Sequence, residues 1–99
     1  MKLNQNKLRL SILKELMNGN EIQASDYGIT EQQFASLIKS MQLDNIISGV
    51  KIKTYINGSL NINFENIIVT LKGEEYMKQN STLMKTYKGL KEVRDWLPF

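Results

Sequence analysis

The stretch from Ile46 to Phe64 constrains this chain more than any other, because its apolar residues recur with period two. Val50, Ile52 and Thr54 alternate with Lys51, Lys53 and Tyr55, while Leu60, Ile62 and Phe64 alternate with Ser59, Asn61 and Asn63. Asn57-Gly58 lies between the two runs and marks a hairpin. The side chains choose its register. A two-residue Asn-Gly loop would pair Lys53 with Ile62 and Lys51 with Phe64, mixing charged and apolar groups on one face. A three-residue loop, Ile56-Asn57-Gly58, pairs Thr54 with Leu60, Ile52 with Ile62 and Val50 with Phe64. It collects Lys51, Lys53, Asn61 and Asn63 on the other face and puts Gly58 where this loop class needs a left-handed residue. The three-residue loop is therefore expected.

Helical periodicity surrounds the hairpin. Leu8, Ile12, Leu13, Leu16 and Met17 share one face of a first helix from about Gln5 to Asn18, widened by Leu10 and closed by Gly19. Between Asn20 and Ile29 the pattern is mixed. Ile22 fits a small strand, and Ser25-Asp26-Tyr27-Gly28 fits one helical turn capped by Ser25. Thr30-Glu31-Gln32-Gln33 then reads as a capping box, with Phe34, Leu37, Ile38 and Met41 as the buried stripe behind it. Gln32, Ser36 and Lys39 lie opposite, flanked by Gln33, Ala35 and Ser40. Asp44-Asn45 ends this helix, since Asn tolerates the left-handed conformation. After the hairpin, Thr70 caps a helix with Leu71, Tyr76 and Met77 inward. A break near Gln79-Asn80 precedes a last helix capped by Ser81, with Leu83, Met84, Tyr87, Leu90, Val93, Trp96 and Leu97 along it and Pro98 at its end.

At 99 residues the chain reads as a single domain, 1–99, with a thin core, since a domain of this size buries only about 60–70% of its unfolded surface. There is no cysteine and no histidine. Their absence removes disulfides, Ser-His-Asp and Cys-His nucleophiles, and His- or Cys-based metal sites. Glu74 and Glu75 are adjacent, so on a helix their carboxylates diverge by about 100° and cannot act as a pair. No Gly-rich phosphate loop is present. Neither an enzyme nor a cofactor is expected. No run of about 18 apolar residues occurs, and Met1 to Asn6 lacks the apolar stretch of a secretory signal, so a cytoplasmic protein without a membrane partner is expected. A net charge of +3 permits a polyanionic partner without arguing for one.

The order helix, short strand or turn, helix, β-hairpin, helix is that of the winged helix-turn-helix, an α+β fold of three or more helices with a hairpin wing and here a C-terminal helix. Val69-Thr70-Leu71-Lys72-Gly73-Glu74-Glu75-Tyr76 resembles the Leu/Val-Thr-x-x-Gly-x-x-Tyr stretch that opens the helix after the wing in many bacterial winged-helix regulators, with Gly allowing close approach to a neighbour. Three further segments carry a narrower resemblance: Leu8 to Glu15, Asp26 to Phe34, and the tail Lys85 to Leu97. Together they look like the YjcQ family, small winged-helix proteins of bacteria and their prophages. The departure is an Asn-rich and rather long segment from Val50 to Asn66.

That family is largely uncharacterised, so the resemblance supports the fold more than a function; the element order together with it points to a duplex-DNA-binding protein, of the kind a phage or prophage uses as a transcriptional regulator. The helix from Thr30 would enter the major groove. Gln32, Gln33, Ser36, Lys39 and Ser40 are its candidate base-edge readers, and Lys51, Lys53, Asn61 and Asn63 the candidate wing contacts to the backbone. Each also has a plainer reading. The helix residues suit any solvated face, and lysines guard an edge hairpin against aggregation. The basic residues Lys85, Lys88, Lys91 and Arg94 form either a ridge or the wet side of the last helix. That helix either closes the core or pairs with a second copy as a homodimer. The alternative function is a protein-interaction module on the same scaffold, using Leu43, Ile56 and the last helix.

Overall fold

The structure, a computed structural model, describes residues 5–87 and residue 89. It is an α+β arrangement. Helix α1 spans Gln5–Met17, a single 3-10 turn Ala24–Tyr27, and helix α2 Glu31–Leu43. Strands β1 (Ile47–Ser48), β2 (Lys51–Thr54), β3 (Leu60–Asn63) and β4 (Ile68–Val69) follow, then helices α3 (Leu71–Gln79) and α4 (Ser81–Thr86). Helix α1 stops where Gly19 turns left-handed (φ 75°), and Asn20 N–H reaches back to the Glu15 carbonyl at 2.9 Å. No strand forms at Ile22, although its side chain is buried. The 3-10 turn occurs as expected but its cap differs. The Asp26 carboxylate accepts the Gln23 N–H at 2.9 Å, so Gln23 and not Ser25 starts the turn.

The four strands form one long hairpin in two pieces. Its inner piece has the register the side chains select: Lys51 opposite Asn63, Ile52 opposite Ile62, Lys53 opposite Asn61, Thr54 opposite Leu60. Tyr55 N–H donates to the Ser59 carbonyl across the loop Ile56-Asn57-Gly58, with Gly58 at φ 85°. The outer piece pairs Ile47 with Val69 and Ser48 with Ile68, and it is a feature the alternation does not announce. Between the pieces, Gly49 and Val50 face a longer return arm from Phe64 to Ile67. The return arm absorbs its surplus in a turn, with Ile67 N–H on the Phe64 carbonyl at 3.1 Å. Asn63 Oδ1 accepts from Glu65 N–H at 2.8 Å in the same bend. Gly49 sits here at φ 85°, and a Cβ on it would collide with the Asn66 carbonyl. This is the physical content of the long Asn-rich segment.

The core lies between α1, α2 and the base of the hairpin: Leu8, Ile12, Leu13, Tyr27, Phe34, Ile38, Met41 and Ile47 are almost wholly enclosed. Helix α3 closes one side. Its Thr70 cap accepts from Gly73 N–H at 3.1 Å, and Gly73 packs so close to the Ile46 carbonyl that no Cβ fits. Leu71 was expected inward but is 72% exposed. Gly73 fixes the inward face, and Leu71 lies about 200° round the helix from it. Tyr76 and Met77, close to the Gly73 direction, do pack on the core. The break after Gln79 is present, with Asn80 and not Ser81 as the cap residue of α4. Helix α4 ends at Thr86, and Tyr87 is extended (φ −78°, ψ 120°), so Tyr87 is not on the helical stripe. The expected positions of Leu90, Val93, Trp96, Leu97 and Pro98, and of the basic residues Lys88, Lys91 and Arg94, lie outside the described residues. Among the described residues no helix is long and apolar enough to cross a membrane.

One polar chain runs through this apolar interior. Tyr87 hydroxyl donates to Glu15 Oε2 at 2.8 Å, and Ser11 donates to Tyr87 at 2.9 Å. A serine hydroxyl has one proton, so in the 3.0 Å contact between Tyr27 and Ser11 it is Tyr27 that donates. The order Tyr27 to Ser11 to Tyr87 to Glu15 satisfies every buried hydroxyl. Burial pushes the pKa of both tyrosines well above its ordinary value. The second Glu15 oxygen, Oε1, accepts from Asn20 Nδ2 at 2.9 Å.

Candidate nucleic-acid interface

Helix α2 is fixed at its start by the reciprocal box. Thr30 Oγ1 accepts from Gln33 N–H at 3.1 Å, and Gln33 Oε1 accepts from Thr30 N–H at 2.9 Å. Phe34, Leu37, Ile38 and Met41 are buried along one side. The opposite side presents Gln32, Ser36 and Lys39, all exposed and spaced i, i+4, i+7, with Leu43 continuing the row at 81% exposure. The other two helix candidates have different surroundings. Gln33 is exposed, but its amide oxygen accepts in the cap, which ties the side chain back to the helix start and away from the extended pose that bidentate reading of adenine needs. Ser40 is half-buried against α1. It donates to the Leu37 carbonyl at 2.7 Å and accepts from Arg9 Nη2 at 2.9 Å. Ala35, placed by the sequence on the outer flank, is buried.

Arg9 also reaches Asp44 Oδ2 at 2.8 Å through Nη1. This ion pair neutralises one of the two carboxylates between Thr30 and Phe64; the other is Glu31 at the helix start. Lys39, Lys51 and Lys53 have no ion-pair partner among the described residues.

The hairpin is held beside the exposed row by a residue the sequence reading passed over. Gln42 Oε1 accepts from Val50 N–H at 3.0 Å, and Gln42 Nε2 faces the Val50 carbonyl at 3.4 Å. Gln42 lies about 60° round α2 from Lys39, so the hairpin springs from the flank next to the Gln32–Ser36–Lys39 row. Phe64 packs on Phe34 with ring centroids 6.1 Å apart, fixing the other arm to the same helix. An amide at Gln42 has no periodicity to distinguish it, and only the fold shows what it binds.

The outward face of the hairpin carries Lys51, Lys53, Asn61 and Asn63, as the register requires. Asn63 is committed to the bend through Glu65 N–H. Asn61 Nδ2 approaches the hydroxyl of Tyr55, a half-exposed ring on the same face, at 3.5 Å. Ile56 at the tip is fully exposed. Gln32, Ser36, Lys39, Lys51, Lys53 and Asn61 thus offer polar groups to solvent, whereas Gln33, Ser40 and Asn63 hold the scaffold that presents them.

The chain matches the YjcQ protein family over residues 10–96. It is 36% identical over 96 residues to the uncharacterized protein YjcQ of Bacillus subtilis (strain 168), covering 96% of this chain and 99% of that protein. The solution NMR structure of the Bacillus subtilis YjcQ protein superposes with a TM-score of 0.55 at 30% identity, over 76% of this chain and 94% of the other.

Proposed function

This chain belongs to the YjcQ family, and we propose that it is a winged-helix protein that binds duplex DNA, acting as a small transcriptional regulator of phage or prophage type. In this reading the 3-10 turn and α2 make the helix-turn-helix, α2 is the recognition helix, and the β2–β3 hairpin is the wing. The observation that carries it is the exposed Gln32–Ser36–Lys39 row with a lysine-bearing hairpin clamped beside it by Gln42 and Val50. Gln32 is suited to adenine, Lys39 to guanine and Ser36 to either, while Lys51 and Lys53 meet phosphates. Gln33 and Ser40 position the helix. The role is one of binding, with no catalytic step.

The test is fluorescence anisotropy of a labelled mixed-sequence duplex at two salt concentrations, with the Lys39→Ala/Lys51→Ala/Lys53→Ala variant beside it. Salt-sensitive binding that the variant loses is the expected result. Absence of binding at low salt overturns the proposal. The second reading, a protein-interaction module, then takes its place, favoured by the exposure of Leu43 at the end of the row and of Ile56 at the hairpin tip.

A further inference from the structure

A groove of about 880 Å³ opens on the other face of the hairpin, away from Lys51 and Lys53. Leu60, Ile62 and Phe64 line it from the hairpin, Ile29 and Phe34 from the start of α2, and Leu16 from α1. Leu16, Ile29, Ile62 and Phe64 are only half-buried, so apolar surface remains open among the described residues. The volume lies in the range of about 300–1,000 Å³ that small-molecule clefts occupy, and such clefts are mostly apolar with a few polar groups that fix the choice of ligand. Here the charged groups are of one sign. Glu21, Glu31 and Glu65 line the groove, and among the described residues no lysine or arginine does. None of the three glutamates has an ion-pair partner among the described residues. They gather in one place on a chain whose net charge is +3, so the local field runs against that of the whole molecule.

We propose that this groove is a binding site for a small apolar organic cation, a positively charged nitrogen carried on aromatic or aliphatic rings. Burial of the rings against Ile62, Phe64 and Leu16 supplies the affinity. The glutamates supply the choice of sign. All three are exposed, so the cation keeps its charge at the wet mouth of the groove and avoids the cost of burying it. Phe64, packed on Phe34 with ring centroids 6.1 Å apart, adds an aromatic surface that favours cations further. An anion of the same shape meets only repulsion. The site stands whether or not the lysine-bearing face of the hairpin meets DNA.

The experiment titrates the full chain into rhodamine 6G, a cationic xanthene dye, and into fluorescein, its anionic counterpart, and reads fluorescence anisotropy. Far-UV circular dichroism checks that each variant is folded. Rhodamine 6G is expected to bind at least several-fold more tightly than fluorescein, and tetraphenylphosphonium, an unrelated apolar cation, to displace it. Ile62→Ser should weaken rhodamine 6G binding several-fold. Glu21→Lys/Glu65→Lys, at two exposed positions, should weaken it as much and strengthen fluorescein binding, a reversal that loss of folding does not produce. Lys53→Ser, on the opposite face, should change neither. Absence of rhodamine 6G binding overturns the proposal, as does equal affinity for the two dyes. Binding insensitive to both groove variants puts the cation elsewhere and overturns it too. Failure of tetraphenylphosphonium to compete would tie the binding to the dye alone and refute the ligand class.

Discussion

Tyr27 shows how one side chain sets a response to pH. It is 1% exposed, donates to Ser11, and is kept protonated by burial beyond the ordinary tyrosine pKa of about 10. The unfolded chain releases that proton at about pH 10, whereas the folded chain retains it. Its contribution to stability is therefore complete below about pH 10 and declines as pH rises further, by about 1.4 kcal/mol per pH unit. Tyr27→Phe should cost about 1 kcal/mol at neutral pH through the lost hydrogen bond, and should make the alkaline decline shallower. Urea midpoints measured across the alkaline range check this, and an unchanged slope would refute it. The sequence showed Tyr27 only as part of a short turn. Its partners, Ser11 and Tyr87, are 16 and 76 residues away, a separation no local pattern encodes.

Among the elements, the hairpin was legible because only one register separates apolar from charged side chains. Helix α2 was legible because cap, stripe and stop agree along a single stretch of sequence. The β1–β4 pair was not legible, since two residues per strand give no alternation to read. Helix α3 was legible in extent but not in rotation. Its glycine, and not its leucine, marks the inward face. Gly73→Ala is the corresponding test. In an open helix the change stabilises by about 1 kcal/mol, but here the new Cβ meets the Ile46 carbonyl. The expected outcome is a loss of about 1–3 kcal/mol, read from denaturant midpoints. A gain would mean that α3 does not dock against the Ile46 carbonyl as described. The last helix was expected to continue past Tyr87, and its stripe was read as unbroken. The extended backbone at Tyr87 instead accompanies a turn of that ring toward α1, where its hydroxyl donates to Glu15.

For the whole molecule, the two faces of the hairpin divide the surface by charge. Lys51 and Lys53, without an ion-pair partner among the described residues, lie on one side, and Glu21, Glu31 and Glu65 line a groove on the other. If Lys51 and Lys53 are the phosphate contacts, the logarithm of DNA affinity should fall against the logarithm of salt with a slope of about −2. A slope near zero for measurable binding would leave those lysines without a role. The candidate site was partly legible at this scale. The outward row and the hairpin face follow from periodicity, but the commitments of Gln33, Ser40 and Asn63 depend on neighbours that only folding supplies. The same holds for Arg9, a basic residue of α1 that the fold spends on Asp44.

The bond from Tyr87 to Ser11 and Glu15 also has a temporal side. A chain made from its N-terminus exposes α1 early, with a serine and a carboxylate on a face destined for the interior. Tyr27 and Asn20 meet part of their need, but the acceptor for the Ser11 proton and the donor to Glu15 Oε2 are missing until Tyr87 has been synthesised. Burying α1 before then would leave both polar groups short of a partner, a cost of about 1–3 kcal/mol each. The nascent protein therefore gains by delaying its collapse until Tyr87 is available, and a ribosome paused just before Tyr87 would hold an unfinished, chaperone-accessible chain.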